Sequence, residues 1–172
     1  VGFGDTECRQ LMQVATRHCT RLRALDLSGN KIDTALDVFA GFIRQHHLKS
    51  INLAMNFRLS GDIGSLAACA SLTMLDLSRT SIAGNIASLG VMTQLTVLNL
   101  EETKVSGNIA SLATLTKLTD LNLCTTDIEG NVGSLTKMTQ IVVLALVNTN
   151  IGGEVAQLAQ LTHIKKLYIG KT

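Results

Sequence analysis

The sequence predicts an α/β solenoid, right-handed and curved, with a parallel β-sheet on its concave face. The first observation is a Leu-x-x-Leu-x-Leu opening whose last leucine falls at Leu77, Leu100 and Leu123 (100 − 77 = 23 and 123 − 100 = 23). A fixed period in the twenties is typical of stacked repeats that share one core. The second is composition, because 46% of the 172 residues are hydrophobic while only 3% are aromatic. Stacked aliphatic side chains explain that imbalance.

A helix is expected from Asp5 to Cys19, with Asp5 capping its first turn. Its apolar stripe consists of Cys8, Leu11, Met12, Ala15 and Cys19. Such a helix would cover the hydrophobic face that the first strand otherwise leaves in water. We therefore expect residues 1–21 to be an N-terminal capping helix or the remnant of a preceding repeat, and residues 22–172 to be a solenoid of about seven strands. Because the chain starts at Val1 and stops within a repeat, we expect a piece of a longer protein.

The first two full repeats differ in length from those that follow. The first spans 26 residues (53 − 27), and its return segment, Thr34 to Gln45, has apolar residues at helical spacing after a candidate cap at Asp33. An α-helix is expected there. The next repeat spans 24 residues (77 − 53). Later return segments are too short for more than a helical turn.

Each repeat also carries a polar residue just after its strand and a short apolar alternation beyond it. The polar residues are Asn30, Asn56, Thr80, Thr103, Thr126, Thr149 and Thr172. Because buried backbone groups at this turn need partners, the threonines are expected to form a ladder. The alternation Ile82 to Ile86 and its three copies predict a second short strand per repeat. Each of these alternating segments also contains a glycine, which is expected to permit a backbone bend that a residue with a Cβ would resist. These glycines are Gly84, Gly107, Gly130 and Gly153.

The segment Leu72 to Ile86 resembles the plant-type leucine-rich repeat almost position for position. Threonine replaces the family's asparagine from Thr80 onward, and alanine or glycine replaces its proline. The segment His18 to Asn30, which opens the first repeat of this chain, resembles the cysteine-containing class of repeat. The resemblance covers about Leu48 to Thr172 and implies a module that recognises a protein or a peptide.

Side chains on either side of the middle leucine point away from the core, since strand residues alternate. Seven strands at ~4.8 Å give a face roughly 29 Å long, which suits a peptide or a protein edge. Its middle is acidic and its C-terminal end is apolar. The candidate binding residues are Asp76, Asn99, Glu101, Asp120, Asn122, Val143, Ala145, Val147 and Tyr168. The competing interpretation is a solvated sheet whose apolar end packs on a further repeat or a partner.

Several functional classes are disfavoured. The net charge is +2 and no basic run exceeds two residues, which argues against nucleic acid. No apolar segment is long enough for a bilayer, so no membrane insertion is expected. Four cysteines without a disulfide pattern slightly favour an intracellular compartment over an extracellular one.

No catalytic, cofactor or metal constellation emerges from the sequence. His46 and His47 end the predicted second helix without a third ligand at metal spacing, which favours a solvated helix end or pairing with its dipole. Glu101 and Glu102 are neighbours on a strand and should point to opposite sides, and Cys124 is predicted to be an exposed thiol without a base.

The leading hypothesis is therefore a non-catalytic scaffold that binds a protein or peptide through the concave sheet, as one module of a larger protein or complex. One alternative is an extracellular recognition domain of a receptor or a surface antigen. Another is a structural subunit that docks into an assembly through its convex or terminal faces.

Overall fold

A computed structural model describes residues 2–170. The elements follow in chain order: α1 (Asp5–His18), β1 (Ala24–Asp26), α2 (Leu36–His46), β2 (Ser50–Asn52), β3 (Ser60–Asp62), β4 (Met74–Asp76), β5 (Ser81–Asn85), β6 (Val97–Asn99), β7 (Lys104–Asn108), β8 (Asp120–Asn122), β9 (Asp127–Asn131), β10 (Val143–Ala145), β11 (Asn150–Gly152) and β12 (Lys166–Tyr168). Five short 3₁₀ helices of four to six residues form the return segments after β3, β5, β7, β9 and β11. The short helical turns are as predicted.

The strands form two parallel sheets. The long sheet has seven strands in the order β1-β2-β4-β6-β8-β10-β12, and the second sheet has five in the order β3-β5-β7-β9-β11. Pairing in the long sheet keeps equivalent residues of successive repeats side by side, as in Leu75 beside Leu98 and Leu98 beside Leu121. Both the seven-stranded sheet and the second strand in each later repeat are confirmed.

The core lies between the two sheets and the return segments. The leucines of the openings, such as Leu95, Leu98 and Leu100, are essentially inaccessible to solvent. Burial of each contributes on the order of 2 kcal/mol. The terminal repeats are the exception, because Leu25 is only partly buried and Leu167 is 39% exposed where no further strand lies beside it. The fold is thus stabilised by contacts between adjacent repeats.

Helix α1 joins the core through one face and contacts α2 where the Thr16 hydroxyl lies 3.2 Å from Nε2 of His46. Cys8, Met12 and Ala15 are buried, as the apolar stripe predicted, and Leu11 is partly buried against the core. The prediction is wrong for Cys19, which is exposed. Cys19 follows the last helical residue with φ −112° and ψ 55°, so its side chain leaves the line of the stripe.

The two predicted aspartate caps are also wrong. Helix α1 begins at Asp5 itself, and the side chain of Asp5 accepts hydrogen bonds from the backbone N–H of Asp33 and of Thr34, both 3.0 Å. Burial opposes ionisation of Asp5, but these bonds and one from the Asp33 side chain outweigh it and lower the pKa of Asp5. The hydrogen bond between the two carboxyl side chains, together with the nearby negative charge of Asp5, raises the pKa of Asp33. Helix α2 begins after Ala35 without a side-chain cap. Asp5 therefore fastens α1 to the first repeat.

The threonine ladder is confirmed within the described residues. The buried hydroxyls of Thr80, Thr103, Thr126 and Thr149 each donate to the carbonyl of the leucine three residues before, at 2.6–2.8 Å. Thr172 lies outside the described residues. Asn56 takes this position in the second repeat and makes more bonds, described in the Discussion. The ladder satisfies the carbonyl that closes each strand.

Candidate functional site

The candidate residues lie on one side of the long sheet, which we call the sheet face (Asp76, Asn99, Glu101, Asp120, Asn122, Val143, Ala145, Val147 and Tyr168). The pairing register places Asp76, Asn99, Asn122, Ala145 and Tyr168 in one row across successive strands. A second row is built by residues such as Asp120 and Val143. The central leucine between the rows is buried in β4, β6, β8 and β10, so both rows face away from the core.

The first row is internally hydrogen-bonded. Asp76 accepts bonds through Oδ1 from the backbone N–H of Ser78 at 2.9 Å and through Oδ2 from the Asn99 amide at 3.1 Å. Asn99 accepts from the N–H of Glu101 at 3.2 Å, and the Asn122 amide donates to Glu101 at 3.1 Å. These side chains therefore close the turns that follow the strands, in addition to facing outward. The sequence signal for this role is Asp or Asn two residues before a turn N–H.

Glu101 and Glu102 lie in the turn after β6, and both reach one arginine. The Arg79 guanidinium is 3.6 Å from Glu101 Oε1 and 3.3 Å from Glu102 Oε1. The expectation that they point to opposite sides is wrong, because Glu102 has a φ of +52° and is no longer in strand conformation. The pairs are partly exposed and contribute little to stability. They reduce the negative charge in the middle of the sheet face.

The C-terminal end of the sheet face is apolar but only partly open. Val143 and Val147 are half-buried, and Tyr168 is 50% exposed. Ala145, predicted to be accessible, is only 6% exposed, since its small side chain lies in register between Asn122 and Tyr168. The accessible contact at this end is therefore Tyr168, with the edges of the two valines.

A hollow of about 260 Å³ opens beside this end, between the last two repeats. Its apolar lining includes Leu146, Ile151, Val155, Leu158 and Ile169. Leu167 and Ile169 are each 39% exposed at this edge. The edge has the apolar character that a covering repeat or partner would match.

Five non-glycine residues follow the strands in left-handed conformation. They are Met55, Arg79, Glu102, Thr125 and Asn148, with φ between +52° and +60°. Such angles cost an L-residue roughly 1–2 kcal/mol, and a β-branched side chain is the least suited to them. Thr125 is therefore the most strained of the five.

We expect Thr125→Asn to stabilise the chain by about 1 kcal/mol, because asparagine tolerates the left-handed region better than threonine. The N–H of residue 125 still donates to the Val147 carbonyl at 2.8 Å. Urea unfolding gives the measurement. Thr116→Asn, at an exposed position without a positive φ, is the control and should leave stability unchanged. Destabilisation by Thr125→Asn alone would contradict the assignment of strain.

The remaining candidates for chemistry are held in structural contacts. His46 is buried, stacks on Phe42 with ring centroids 4.3 Å apart and lies 3.2 Å from the Thr16 hydroxyl through Nε2. The expected solvation of this helix end is wrong for His46, because its ring faces α1, whereas His47 is exposed. Cys124 is half-buried, and its sulfur accepts from the N–H of Val147 at 3.3 Å. Across residues 2–170, no group of three or more His, Cys, Asp or Glu side chains is arranged to hold a metal ion.

The relative reactivity of Cys8 and Cys19 tests whether α1 is packed against the core. Burial, with the nearby Asp5 charge, raises the pKa of Cys8 to about 11, so about one thiol in a thousand is ionised at pH 8. Cys19 is exposed. We expect iodoacetamide to modify Cys19 at least ~100-fold faster than Cys8 in the folded chain, with both reacting at similar rates in denaturant. Equal rates in the folded chain would show that α1 is not docked as described. Mass spectrometry of peptides separates the two sites.

One segment of the chain matches a known family of repeats. The leucine-rich repeat family model matches residues 21–42. Those residues join β1 to α2, and the same strand-and-return unit recurs through the described chain. The chain therefore has the leucine-rich repeat fold. A search of curated protein sequences finds no match to it.

Solved leucine-rich repeat structures agree with the fold. The plant peptide hormone receptor RGFR1 in complex with RGF2 is 25% identical with a TM-score of 0.77, over 90% of this chain and 25% of that one. The ectodomain of the Arabidopsis receptor kinase HAESA, in complex with an IDA peptide hormone, is 26% identical with a TM-score of 0.68, over 88% of this chain and 30% of that one. Internalin C2 of Listeria monocytogenes is 20% identical with a TM-score of 0.63, over 91% of this chain and 74% of that one.

The chain thus spans about a quarter to a third of the length of the plant receptors it matches. RGFR1 is a plant peptide hormone receptor solved with RGF2, and the HAESA ectodomain was solved with an IDA peptide hormone ligand. Both predicted features of the family, the repeated parallel strands and the N-terminal helix, are present. Among residues 2–170, no helix is long and apolar enough to cross a membrane.

Proposed function

We propose that the chain is a non-catalytic module that binds a peptide or protein through the sheet face, as part of a larger protein or complex. The observation that carries this proposal is the seven-stranded parallel sheet, whose outward rows combine fixed polar groups with an apolar end. A rigid scaffold with outward side chains in register offers a preorganised surface, and preorganisation lowers the entropy cost of binding.

The hydrogen-bonded row indicates how polar recognition would work. Asn99 and Asn122 are each held by a bond to a turn N–H and a bond to a neighbouring carboxylate. Fixed amides and carboxylates can bond to a peptide backbone without first being ordered. Within residues 2–170 the Asp120 carboxylate accepts one side-chain hydrogen bond, from the Thr119 hydroxyl at 2.7 Å, so it keeps capacity to accept a bond from a ligand. Tyr168 and the valines supply apolar contact beside it.

An extracellular recognition domain is the second candidate. It is supported by the similarity to the peptide hormone receptor RGFR1 and to the HAESA ectodomain, the latter solved with a peptide hormone ligand. These neighbours point to the outside of a cell, against the intracellular compartment that the unpaired cysteines favour. The same sheet face would serve as the binding surface in either compartment.

A paired set of charge variants tests the proposal. Asp120→Arg with Val143→Arg places two cations side by side in the second row, since these residues pair in β8 and β10. Glu129→Arg with Thr116→Arg makes the same change in charge at exposed positions away from the sheet face. Partner retained from an extract of the source cells should fall about tenfold, worth 1.4 kcal/mol, for the first pair only.

Both double variants must first show the circular dichroism and the unfolding midpoint of the original chain. Equal retention by the two pairs would overturn the sheet face as the binding surface. Loss with the second pair alone would instead support docking through the opposite side.

A further inference from the structure

Phe57 is the most exposed large hydrophobic side chain among the described residues. It is 65% exposed, whereas Phe39 and Phe42 lie in the core. It follows β2 in the turn that leads to β3, at the side of the solenoid and outside the sheet face. An aromatic ring left in water at a turn is a strong candidate for contact with another molecule.

The repeat that carries Phe57 is one residue longer than the next. Asn56 and Thr80 occupy the same position, and so do the buried Leu59 and Ile82. The second repeat therefore has Phe57 and Arg58 where the third has Ser81 alone. The backbone absorbs the extra residue without loss, because the N–H of Ser81 donates to the Leu59 carbonyl at 2.8 Å. Its hydroxyl donates to the Phe57 carbonyl, also at 2.8 Å.

Two surface hollows meet at Phe57, and both are lined by cations. One is lined by Lys31 and Arg58, and the other by Arg79 and Lys104, with Glu102 as the one carboxylate in either lining. We call Lys31, Phe57, Arg58, Arg79 and Lys104 the Phe57 patch. Lys31, Phe57 and Lys104 occupy the same position in three different repeats, four residues after the last leucine of the opening.

The positive charge of the Phe57 patch is mostly uncompensated. Between residues 2 and 170 the ion pairs within 4.0 Å are those of Arg79 with Glu101 and Glu102, so Lys31, Arg58 and Lys104 form none. The carboxyl of Asp33 feels the charge of Arg58, but without an ion pair. Unpaired cations around an exposed ring favour a ligand that combines negative charge with an apolar side chain.

We infer that the Phe57 patch is a second binding surface, separate from the sheet face, and that it binds an acidic peptide segment of a partner protein. An apolar side chain of that segment packs on Phe57. Carboxylates before and after it lie near Lys31 and Arg58 on one side and near Lys104 on the other. The inference does not depend on the proposed function of the sheet face.

A peptide fits these observations better than a nucleic acid. Binding along a nucleic-acid strand requires a basic groove with several stacking rings. The patch has one ring, and two glutamates pair with its Arg79. The net charge of +2 is also small for phosphate recognition.

Fluorescence anisotropy with the 172-residue chain tests the inference. The probe is a fluorescein-labelled hexapeptide, Glu-Glu-Leu-Phe-Glu-Glu, and the comparison probes replace its apolar pair by serines, its glutamates by lysines, or the peptide by a twelve-nucleotide oligo-dT. We expect the acidic apolar probe to bind at least tenfold more tightly than each of the others, with an affinity that falls as salt is raised.

Matched variants locate the site. Phe57→Ser and Arg58→Glu should each raise the Kd of the acidic probe at least tenfold, since both side chains are exposed and their loss spares the core. Val91→Ser and Lys137→Glu make the same changes at other exposed positions and should leave the Kd unchanged. Sheet-face changes such as Asp120→Arg should not weaken probe binding. No detectable binding, equal effects of the two sets of variants, or preference for oligo-dT would each overturn the inference.

Discussion

Asn56→Ala should destabilise the chain by about 4 kcal/mol, because the Leu53 carbonyl and the Ile32 N–H lose their side-chain partner in the interior. Asn56 is fully buried. Its amide donates to the Leu53 carbonyl in its own repeat and to the Leu27 carbonyl in the preceding one, both at 2.9 Å. Its Oδ1 accepts from the N–H of Ile32 at 3.2 Å. One side chain therefore joins two repeats at their turns, and urea unfolding measures its contribution.

Two further variants separate the bonds within the repeat from the bonds between repeats. Asn56→Thr keeps the bond to the Leu53 carbonyl, as in the threonine ladder, but loses both bonds to the preceding repeat, so we expect a loss of about 2 kcal/mol. Asn30→Ala removes similar bonds at a half-buried position and should cost about 1 kcal/mol. Wild-type stability in Asn56→Thr would show that the bonds between repeats contribute nothing.

Gly130→Ala should cost about 3 kcal/mol, the second large effect. Gly130 has a φ of +116°, which only glycine adopts without strain. A Cβ there would lie 2.6 Å from Oδ1 of Asn108. That oxygen accepts from the N–H of Ala110 at 2.9 Å and starts the return helix of the neighbouring repeat. The substitution therefore strains one repeat and displaces a cap in the next.

A glycine in the adjoining strand serves as the control. In Gly152→Ala the nearest atom is 4.0 Å from the new Cβ and the φ is not positive, so stability should change by less than ~0.5 kcal/mol. The double variant Gly130→Ala with Asn108→Ala removes the clash and keeps the backbone strain. If the clash is real, the double variant should lose less unfolding free energy than the sum of the losses in the two single variants. Additive losses would contradict the clash.

The repeated features could be predicted because each occurs several times at fixed spacing. Thr103 and Gly107 were assigned to a ladder and a bend, and both assignments are confirmed. A residue type that returns at the same position of every repeat adopts the same local structure in each one, so its role can be predicted from the sequence.

Features that depend on a neighbour in space could not be predicted in this way. The burial of Ala145 follows from the side chains beside it in the row, and the bonds of Asp5 run to a loop 28 residues away. The pairing of Glu102 with Arg79 follows from a left-handed residue that the strand pattern does not reveal. The binding role of the sheet face stays a prediction.

Site-specific photo-cross-linking tests that central prediction most directly. A benzophenone amino acid is placed in the 172-residue chain at Asp120 on the sheet face, at Glu129 on the second sheet, or at Arg58 in the Phe57 patch, and the chain is irradiated in an extract of the source cells. We expect a cross-linked partner from residue 120 and none from residue 129, with residue 58 reporting any second contact. A partner cross-linked from residue 129 and absent from residue 120 would contradict recognition through the sheet face.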